Sequence, residues 1–223
     1  MTTSSFRLTP SSLIDALYES VRTRIINGDI QPGEKLTEQR IADEYDVARP
    51  TAKACLERLT ALGLLRRTAH KTAVVPELTA DDIRDLFSTR ELLEGSAVTR
   101  LARTKRLPIE VGRAQAAVLA AVGAGDFAAQ VQADILFHWA LIKGVDSPRL
   151  TRVYELISGE IHLTMGQFQA HRATQPTMVA AEHAAIIDAI DKGRPAVAAK
   201  ALETHLRAAR DRVLARRAQE ATA

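Results

Sequence analysis

The sequence has very little cysteine, since Cys55 is the only one in 223 residues. One cysteine cannot form an internal disulfide framework, and it cannot supply the paired cysteines of a zinc ribbon. The chain also lacks any apolar run near the roughly 18 residues that a membrane span needs. Its first ten residues, MTTSSFRLTP, lack the charged and then apolar layout of a signal peptide. These absences predict a cytoplasmic protein.

Net charge is also low, at +3, but the charges are unevenly distributed along the chain. Residues 29–46 carry six acidic side chains against Lys35 and Arg40. Residues 47–75 reverse the balance, with six basic side chains against Glu57. A basic segment in an otherwise balanced chain is typical of polyanion binding, although a solvated helix face gives the same pattern.

The first third of the chain predicts a helix, then a helix-turn-helix, then a β-hairpin. Large apolar residues recur every four positions over 13–25, which indicates an amphipathic helix. Thr37 is placed to cap a short second helix, and a third helix is expected at 48–62. Two strand-like runs, 64–67 and 73–75, then form the hairpin.

The rest of the chain predicts helices alone. Proline, glycine and capping residues divide it into six segments. The predicted helices span 80–104, 109–123, 126–143, 148–170, 176–192 and 195–217. We therefore expect a mainly α fold in two domains, since 223 residues is long for one. The expected parts are a winged helix-turn-helix with a small hairpin wing at 1–76, a linker at 77–79 and an all-α bundle of about six helices at 80–223.

The second helix of the helix-turn-helix begins with cations. Arg49 and Lys53 are four residues apart and therefore lie on one face. A helix-turn-helix presents this end of its second helix to base edges in the major groove, where arginine binds guanine in bidentate fashion. Thr51, between the two cations, is short enough to meet a phosphate or a thymine methyl group. These three residues are candidates for reading DNA.

The stretch GDIQPGEKLTEQRIADEYDVARPTAKACLERLTALGLLRR resembles the winged helix-turn-helix of the GntR family. It carries G-x-x-x-PG-x-x-L-x-E, then V-x-R, then a leucine-rich helix that ends in Gly-Leu. The resemblance implies that Arg49, Thr51 and Lys53 contact DNA. It also implies that a wing near His70 and Lys71 enters the minor groove.

Three positions depart from the family pattern. Gln39 stands where arginine is usual, Pro50 where threonine or serine is common, and Lys71 where the wing usually has glycine. All three positions, together with His70, remain among the expected DNA contacts. One short recognition helix reads only a few base pairs, so we also expect a homodimer on a pseudo-palindromic operator.

A second group of functional residues lies in the helical part. Asp134 and His138 are spaced i, i+4 and therefore share a helix face, and His183 and His205 lie on two later helices. One carboxylate and three imidazoles can bind Zn²⁺ or another divalent transition metal. From spacing alone, a surface hydrogen bond between Asp134 and His138 is the simpler interpretation.

Residues 80–215 resemble the FCD effector domain of the FadR-type branch of GntR regulators. The marks are R-x-x-x-E at Arg90–Glu94, D-x-x-x-H at Asp134–His138, Glu-His at 182–183 and His-Leu at 205–206. The resemblance implies a divalent metal ion, with Zn²⁺ as the first candidate and Ni²⁺ or Mn²⁺ as alternatives. It also implies a small carboxylate effector beside the metal. The implied metal ligands are Asp134, His138, His183 and His205.

Arg90 is the expected effector contact, because a guanidinium fork matches the geometry of a carboxylate. An ion pair with Glu94, four residues on, is the alternative, and both roles can coexist. His162 and His171 match no ligand position, and we expect them to line the pocket or lie at the surface. The basic run at 207–217 is expected to be a solvated helix end.

Other classes of function fit less well. A mononuclear metallohydrolase in a helical bundle needs a positioned general base, and Glu182 would point about 100° away from His183 on a helix. A ferritin-like protein needs Glu-x-x-His pairs, which the sequence lacks. A protein–protein adaptor would leave Arg49 and Lys53 without a role. We therefore predict a transcription regulator that responds to a ligand, expected to be a repressor and not an enzyme.

Overall fold

The computed structural model describes residues 13–67, 72–168 and 176–220 of the chain. The chain forms two compact units, Met1–Glu77 and Leu78–Ala223. The boundary between them falls inside the segment 77–79.

The first unit contains the helices of a helix-turn-helix. Helix α1 spans Leu13–Asn27, α2 spans Glu38–Tyr45 and α3 spans Arg49–Ala61. The Thr37 side chain accepts a hydrogen bond from a backbone N–H in the first turn of α2, so the predicted N-cap is confirmed. Asp46 adopts a left-handed conformation with φ of 50°, which ends α2 and turns the chain into α3.

The sheet of this unit differs from the predicted two-stranded hairpin. Strands β1 (Lys35–Leu36), β2 (Arg66–Arg67) and β3 (Ala73–Val74) form an antiparallel sheet in the order β1-β3-β2. The hairpin prediction omitted β1, because a strand of two residues has no periodicity that a sequence could show. β1 pairs with β3 along its length while the Leu36 side chain is fully buried.

Aliphatic side chains hold the three described helices of this unit together. Both α1 and α2 pack on α3, and Val21, Ile25 and Leu59 are almost completely buried in the resulting core. Cys55 on α3 is buried as well, and burial raises the pKa of its thiol to about 11. Cys55 is therefore an unreactive packing residue at neutral pH, and the opposite face of α3 is left to solvent.

The second unit is entirely helical over its described residues. Its helices are α4 (Ala80–Thr104), α5 (Ile109–Ala124), α6 (Phe127–Lys143), α7 (Pro148–Phe168), α8 (Pro176–Asp191) and α9 (Pro195–Glu220). The predicted fold class, mainly α with a winged helix-turn-helix and a helical bundle, is confirmed. Within the bundle, α4 packs along α9, α5 along α6, and α8 along α9.

The start of the second unit is fixed by two contacts. Thr79 and Asp82 form a capping box at the N-terminus of α4, in which each side chain bonds the other's backbone N–H. Arg217, near the end of α9, donates from Nε to the backbone carbonyl of Leu78 at 2.8 Å. The basic C-terminal run is thus not simply solvated as predicted, because Arg217 holds the residue at which the second unit begins.

No single helix in the described part of the chain is long and apolar enough to cross a membrane. The pair α4 and α5 meets the length and composition criteria only when joined across a bend of 117°.

Candidate DNA-binding surface and metal centre

The N-terminal end of α3 is exposed, as a recognition helix requires. Arg49 is the first residue of α3. Arg49, Pro50 and Lys53 are all exposed, and Thr51 is half-buried. The Lys53 ammonium lies 4.0 Å from Glu57, one turn further along the helix, and its side chain remains 55% exposed. These side chains are therefore free to meet a ligand as large as a DNA duplex.

Arg67 adds a cation that the list of expected DNA contacts omitted. A surface depression is lined by Gln39 of α2, Arg49 of α3 and Arg67 of β2, so three elements bring polar side chains to one place. Gln39 also donates to Asp43 at 2.6 Å, which orients its amide. The expected wing residues His70 and Lys71 lie outside the described residues. Arg67 was included in the basic excess of 47–75, in the strand-like run 64–67 and in the stretch that resembles the GntR family, but none of these singled it out.

The four expected metal ligands come together inside the second unit. Asp134 and His138 project from α6, His183 from α8 and His205 from α9. One ligand atom from each lies within 4.8 Å of the other three. Each of the four residues is at most 2% exposed. The sequence placed these residues on three helices, and the bundle brings them to one point.

Two carboxylates orient two of the imidazoles. His138 Nδ1 lies 2.5 Å from Glu94 Oε2, and His205 Nδ1 lies 2.8 Å from Glu182 Oε2. An ionised carboxylate can only accept, so each Nδ1 must carry the proton. In the neutral ring, Nε2 then carries a lone pair that points into the cluster. Metal-binding histidines usually have this kind of outer partner.

The two Nε2 atoms face one another at 3.1 Å. Two facing lone pairs at that distance repel unless a proton or a metal cation lies between them. Burial lowers the pKa of His205 well below its usual value, and nearby His183 and His138 lower it further. The neutral imidazole that results is the form that binds a metal ion. The donor set therefore fits a divalent transition metal.

His183 completes the group. Its Nε2 lies 3.3 Å from Asp134 Oδ1, and its ring stacks on Phe137 with centroids 3.7 Å apart. Neither ring nitrogen has a hydrogen bond of good geometry to a described residue. Burial lowers the pKa of His183, although Asp134 acts in the opposite direction. A buried imidazole in this position is available as a ligand.

Arg90, Glu94 and Tyr154 form a buried polar group beside the cluster. Arg90 donates from Nε to Glu94 Oε1 at 2.8 Å, and the Tyr154 hydroxyl donates to the same oxygen at 2.9 Å. Burial alone would raise the pKa of Glu94, but Arg90 and His138 lower it to about 2. The ion pair considered in the sequence is present, and it includes His138, which the sequence did not indicate.

The outer end of Arg90 differs, because its guanidinium lies over the Phe87 ring, 5.1 Å from the centroid. Its Nη1 and Nη2 atoms are buried, yet neither makes a hydrogen bond of good geometry to any residue that the structure describes. Each buried N–H group that lacks a hydrogen bond lowers the free energy of unfolding by about 1–3 kcal/mol. Such groups usually meet a ligand or ordered water.

His162, the other described histidine of the helical part, takes no place in the cluster. His162 is buried on α7, with Nδ1 2.6 Å from the carbonyl of Ser158 in the preceding turn. It is therefore a core residue and not a surface one. His171 lies outside the described residues.

Comparison with known proteins agrees with this geometry. Residues 85–208 match the FCD domain, and residues 13–75 match the bacterial regulatory proteins of the gntR family. The chain belongs to the GntR family. The FCD match spans the residues that carry the whole Asp/His cluster, and the GntR match spans the helix-turn-helix and the sheet.

Several relatives cover nearly the whole chain. One, named as a D-xylose utilization operon transcriptional repressor from Paenarthrobacter nicotinovorans, is 25% identical over 93% of this chain and 92% of its own. The transcriptional regulator LutR of Bacillus subtilis is 26% identical over 82% and 92%. A solved GntR transcriptional regulator from Rhodococcus sp. RHA1 is 26% identical, with a TM-score of 0.78, over 92% of this chain and 99% of that one.

The GntR chain is thus a transcription regulator, and the prediction of a regulator rather than an enzyme is confirmed. The metallohydrolase alternative finds no support among these relatives. Glu182, considered as a general base in that alternative, instead accepts from His205. Sequence reasoning gave no role to Tyr154 or Phe137, and it did not identify Glu182 as the partner of His205.

We predict that Glu94→Ala strongly destabilises the second unit of the metal-free protein. The substitution leaves Arg90, His138 and Tyr154 buried without their shared acceptor, and breaking a buried ion pair costs about 3–5 kcal/mol. Urea unfolding followed by the fluorescence of Trp139, the only tryptophan in the chain, measures this. Glu203→Ala, which removes a surface partner of Lys200, is the control and should change little. A loss below about 1 kcal/mol in Glu94→Ala would show that the network is not a structural requirement.

Proposed function

We propose that this GntR regulator is a repressor that binds operator DNA as a homodimer and senses a small carboxylate beside a divalent metal. The observation that carries the proposal is the buried convergence of one aspartate and three histidines, with outer carboxylates that direct two Nε2 lone pairs inward. Such an arrangement has no use in a module that only binds DNA. It is suited to a ligand-binding domain whose state controls that module.

Asp134, His138, His183 and His205 would hold the metal. Three neutral imidazoles and one carboxylate favour Zn²⁺, and also suit Ni²⁺ or Mn²⁺. When bound, the metal supplies a positive charge that attracts an anionic ligand. The protein contributes the fixed orientation of His138 and His205 and a dry environment that strengthens that attraction.

Arg90 would bind the carboxylate of the effector. Its Nε is already engaged by Glu94, and this contact directs the rest of the guanidinium. The two buried amino groups without good hydrogen bonds form a planar fork that matches two carboxylate oxygens. A carboxylate bound by these two amino groups would offset the cost of burying their N–H groups without hydrogen bonds.

The DNA-binding unit would respond through α4. Arg90 and Glu94 both lie on α4, which begins two residues after the boundary between the units. Arg217 fastens Leu78 to α9, and α9 also carries His205. Ligand binding that shifts α4 or α9 would therefore act on the segment that leads to the recognition helix. In a dimer, two recognition helices must stay about one DNA turn apart, so a small shift is sufficient.

The metal proposal predicts one divalent ion per chain. Protein purified without a histidine tag should contain it by elemental analysis, and EDTA-treated protein should regain it from Zn²⁺. At about 100 times the dissociation constant, metal should raise the melting temperature by roughly 5–10 °C. Asp134→Asn should abolish stoichiometric binding, whereas His162→Gln, a buried histidine outside the cluster, should retain it. Absence of metal together with no melting shift for Zn²⁺, Ni²⁺ or Mn²⁺ would contradict the proposal.

The DNA proposal predicts that Arg49→Ala loses about 1–3 kcal/mol of binding energy on the specific operator. Preference at one base position should relax, because a bidentate contact to guanine is lost. Fluorescence anisotropy with operator and scrambled duplexes measures both effects. Arg84→Ala, an exposed arginine of α4, is the control and should bind like the wild type. Unchanged operator affinity in Arg49→Ala would show that Arg49 does not contact the operator.

The coupling proposal predicts a reciprocal effect. If the effector changes the affinity for operator DNA by some factor, operator DNA must change the affinity for the effector by the same factor. The expected coupling is about 1–3 kcal/mol, or roughly 5–150-fold. Calorimetry of a carboxylate that passes a thermal-shift screen, with and without saturating operator, measures it. Arg90→Ala should bind that carboxylate weakly in both conditions. Equal effector affinities with and without DNA would exclude coupling. Normal effector binding by Arg90→Ala would show that Arg90 is not part of the effector site, without affecting the rest of the proposed site.

A further inference from the structure

A cavity of the helical unit shares no lining residue with the metal centre. Its volume is about 590 Å³, and it is formed by the first turns of α5, the last turns of α6 and the turns that flank them. Sites for small ligands commonly measure about 300–1,000 Å³. Gly144 closes one end against Pro108, since a Cβ at this glycine would overlap the proline ring. The cavity is therefore large enough for a small molecule.

The walls of this cavity are mainly hydrocarbon. Leu136 and Trp139 come from α6, and Ala114 and Ala117 from α5. The Trp139 ring is held in place by Tyr154, which meets it edge-to-face with centroids 5.1 Å apart. Leu136, which lines the cavity together with Trp139, is 50% exposed, so part of this apolar wall faces solvent. A flat apolar body would cover both side chains.

The charges at the rim favour an anion. Arg106 is paired with Asp146 at 2.7 Å, and Arg113 lies 4.0 Å from Glu110. Lys143 differs, because its ammonium lies over the Trp139 ring, 5.2 Å from the centroid. Three basic and two acidic side chains line the cavity, so its lining carries a net positive charge. Lys143 places that charge directly beside the apolar wall.

We infer that this cavity binds a small aromatic carboxylate, with the ring between Trp139, Leu136 and Ala117 and the carboxylate on Lys143. The inference does not depend on a metal at the Asp/His cluster. It does give the regulator a second input, because Trp139 contacts Tyr154 and the Tyr154 hydroxyl donates to Glu94, which orients His138. Occupation of the cavity can therefore affect the cluster through direct contacts.

The fluorescence of Trp139 tests the inference, because the chain has no other tryptophan. Titration of the full-length protein with benzoate should change the emission saturably, and benzamide should bind about tenfold more weakly because it lacks the charge. Lys143→Met should weaken benzoate binding about as much as the change from benzoate to benzamide does. Lys143→Arg should retain much of the wild-type affinity for benzoate. Ala117→Phe, a change at an exposed position of α5, should fill the cavity and abolish the saturable change.

Asp134→Asn separates this site from the metal centre. A saturable benzoate titration should persist in this variant even if the variant abolishes metal binding, so the two proposals can fail independently. Loss of the titration in Asp134→Asn, or its persistence in Ala117→Phe, would overturn the inference. So would the absence of a saturable change in the wild type. Emission that varies with protein concentration alone would show instead that a second copy of the chain covers Trp139, and it would also overturn the inference.

Discussion

The Glu94 carboxylate fixes three buried side chains at once, and the geometry of the candidate metal centre depends on it. Arg90 and Tyr154 bond one of its oxygens, and His138 bonds the other. A buried carboxylate without partners would take up a proton, but Arg90 and His138 hold its pKa down at about 2. The ionised form in turn requires a proton on Nδ1 of His138. One buried charge thereby decides which ring nitrogen faces the cluster.

The rest of the bundle can be understood as support for this charge. Burial of a carboxylate and a guanidinium together costs several kcal/mol, which their attraction offsets only when the geometry is good. That geometry is supplied by α4, which carries Arg90 and Glu94 one turn apart, and by α6, which places His138 against them. The packing of α4 and α8 along α9 then sets the position of His205 and its partner Glu182. A loosely packed bundle would not keep these atoms within hydrogen-bonding distance.

The sequence was most informative where residues interact within one turn of a helix or mark its end. The Asp134–His138 spacing, the Thr37 cap and the separators between helices all depend on such local geometry, and the structure agrees with them. Glu94 was paired in advance only with Arg90, its neighbour four residues away. Its contacts with His138 and Tyr154 span 44 and 60 residues, and the Glu182–His205 contact spans 23. No local pattern records such pairs, because they depend on how whole helices pack. Strand β1 was missed because it is too short, since two residues cannot show an alternating pattern.

Long-range proton–nitrogen NMR correlations of the metal-free protein test the central claim most directly, because they report which imidazole nitrogen carries the proton. The peaks of His138 and His205 can be assigned from single substitutions. Glu94 and Glu182 should hold both rings as the Nδ1–H tautomer, with Nε2 unprotonated. Replacement of Glu94 by glutamine should release this preference at His138 and leave His205 unchanged. If either ring is instead protonated on Nε2 in the wild type, the carboxylates do not prepare the cluster for a metal.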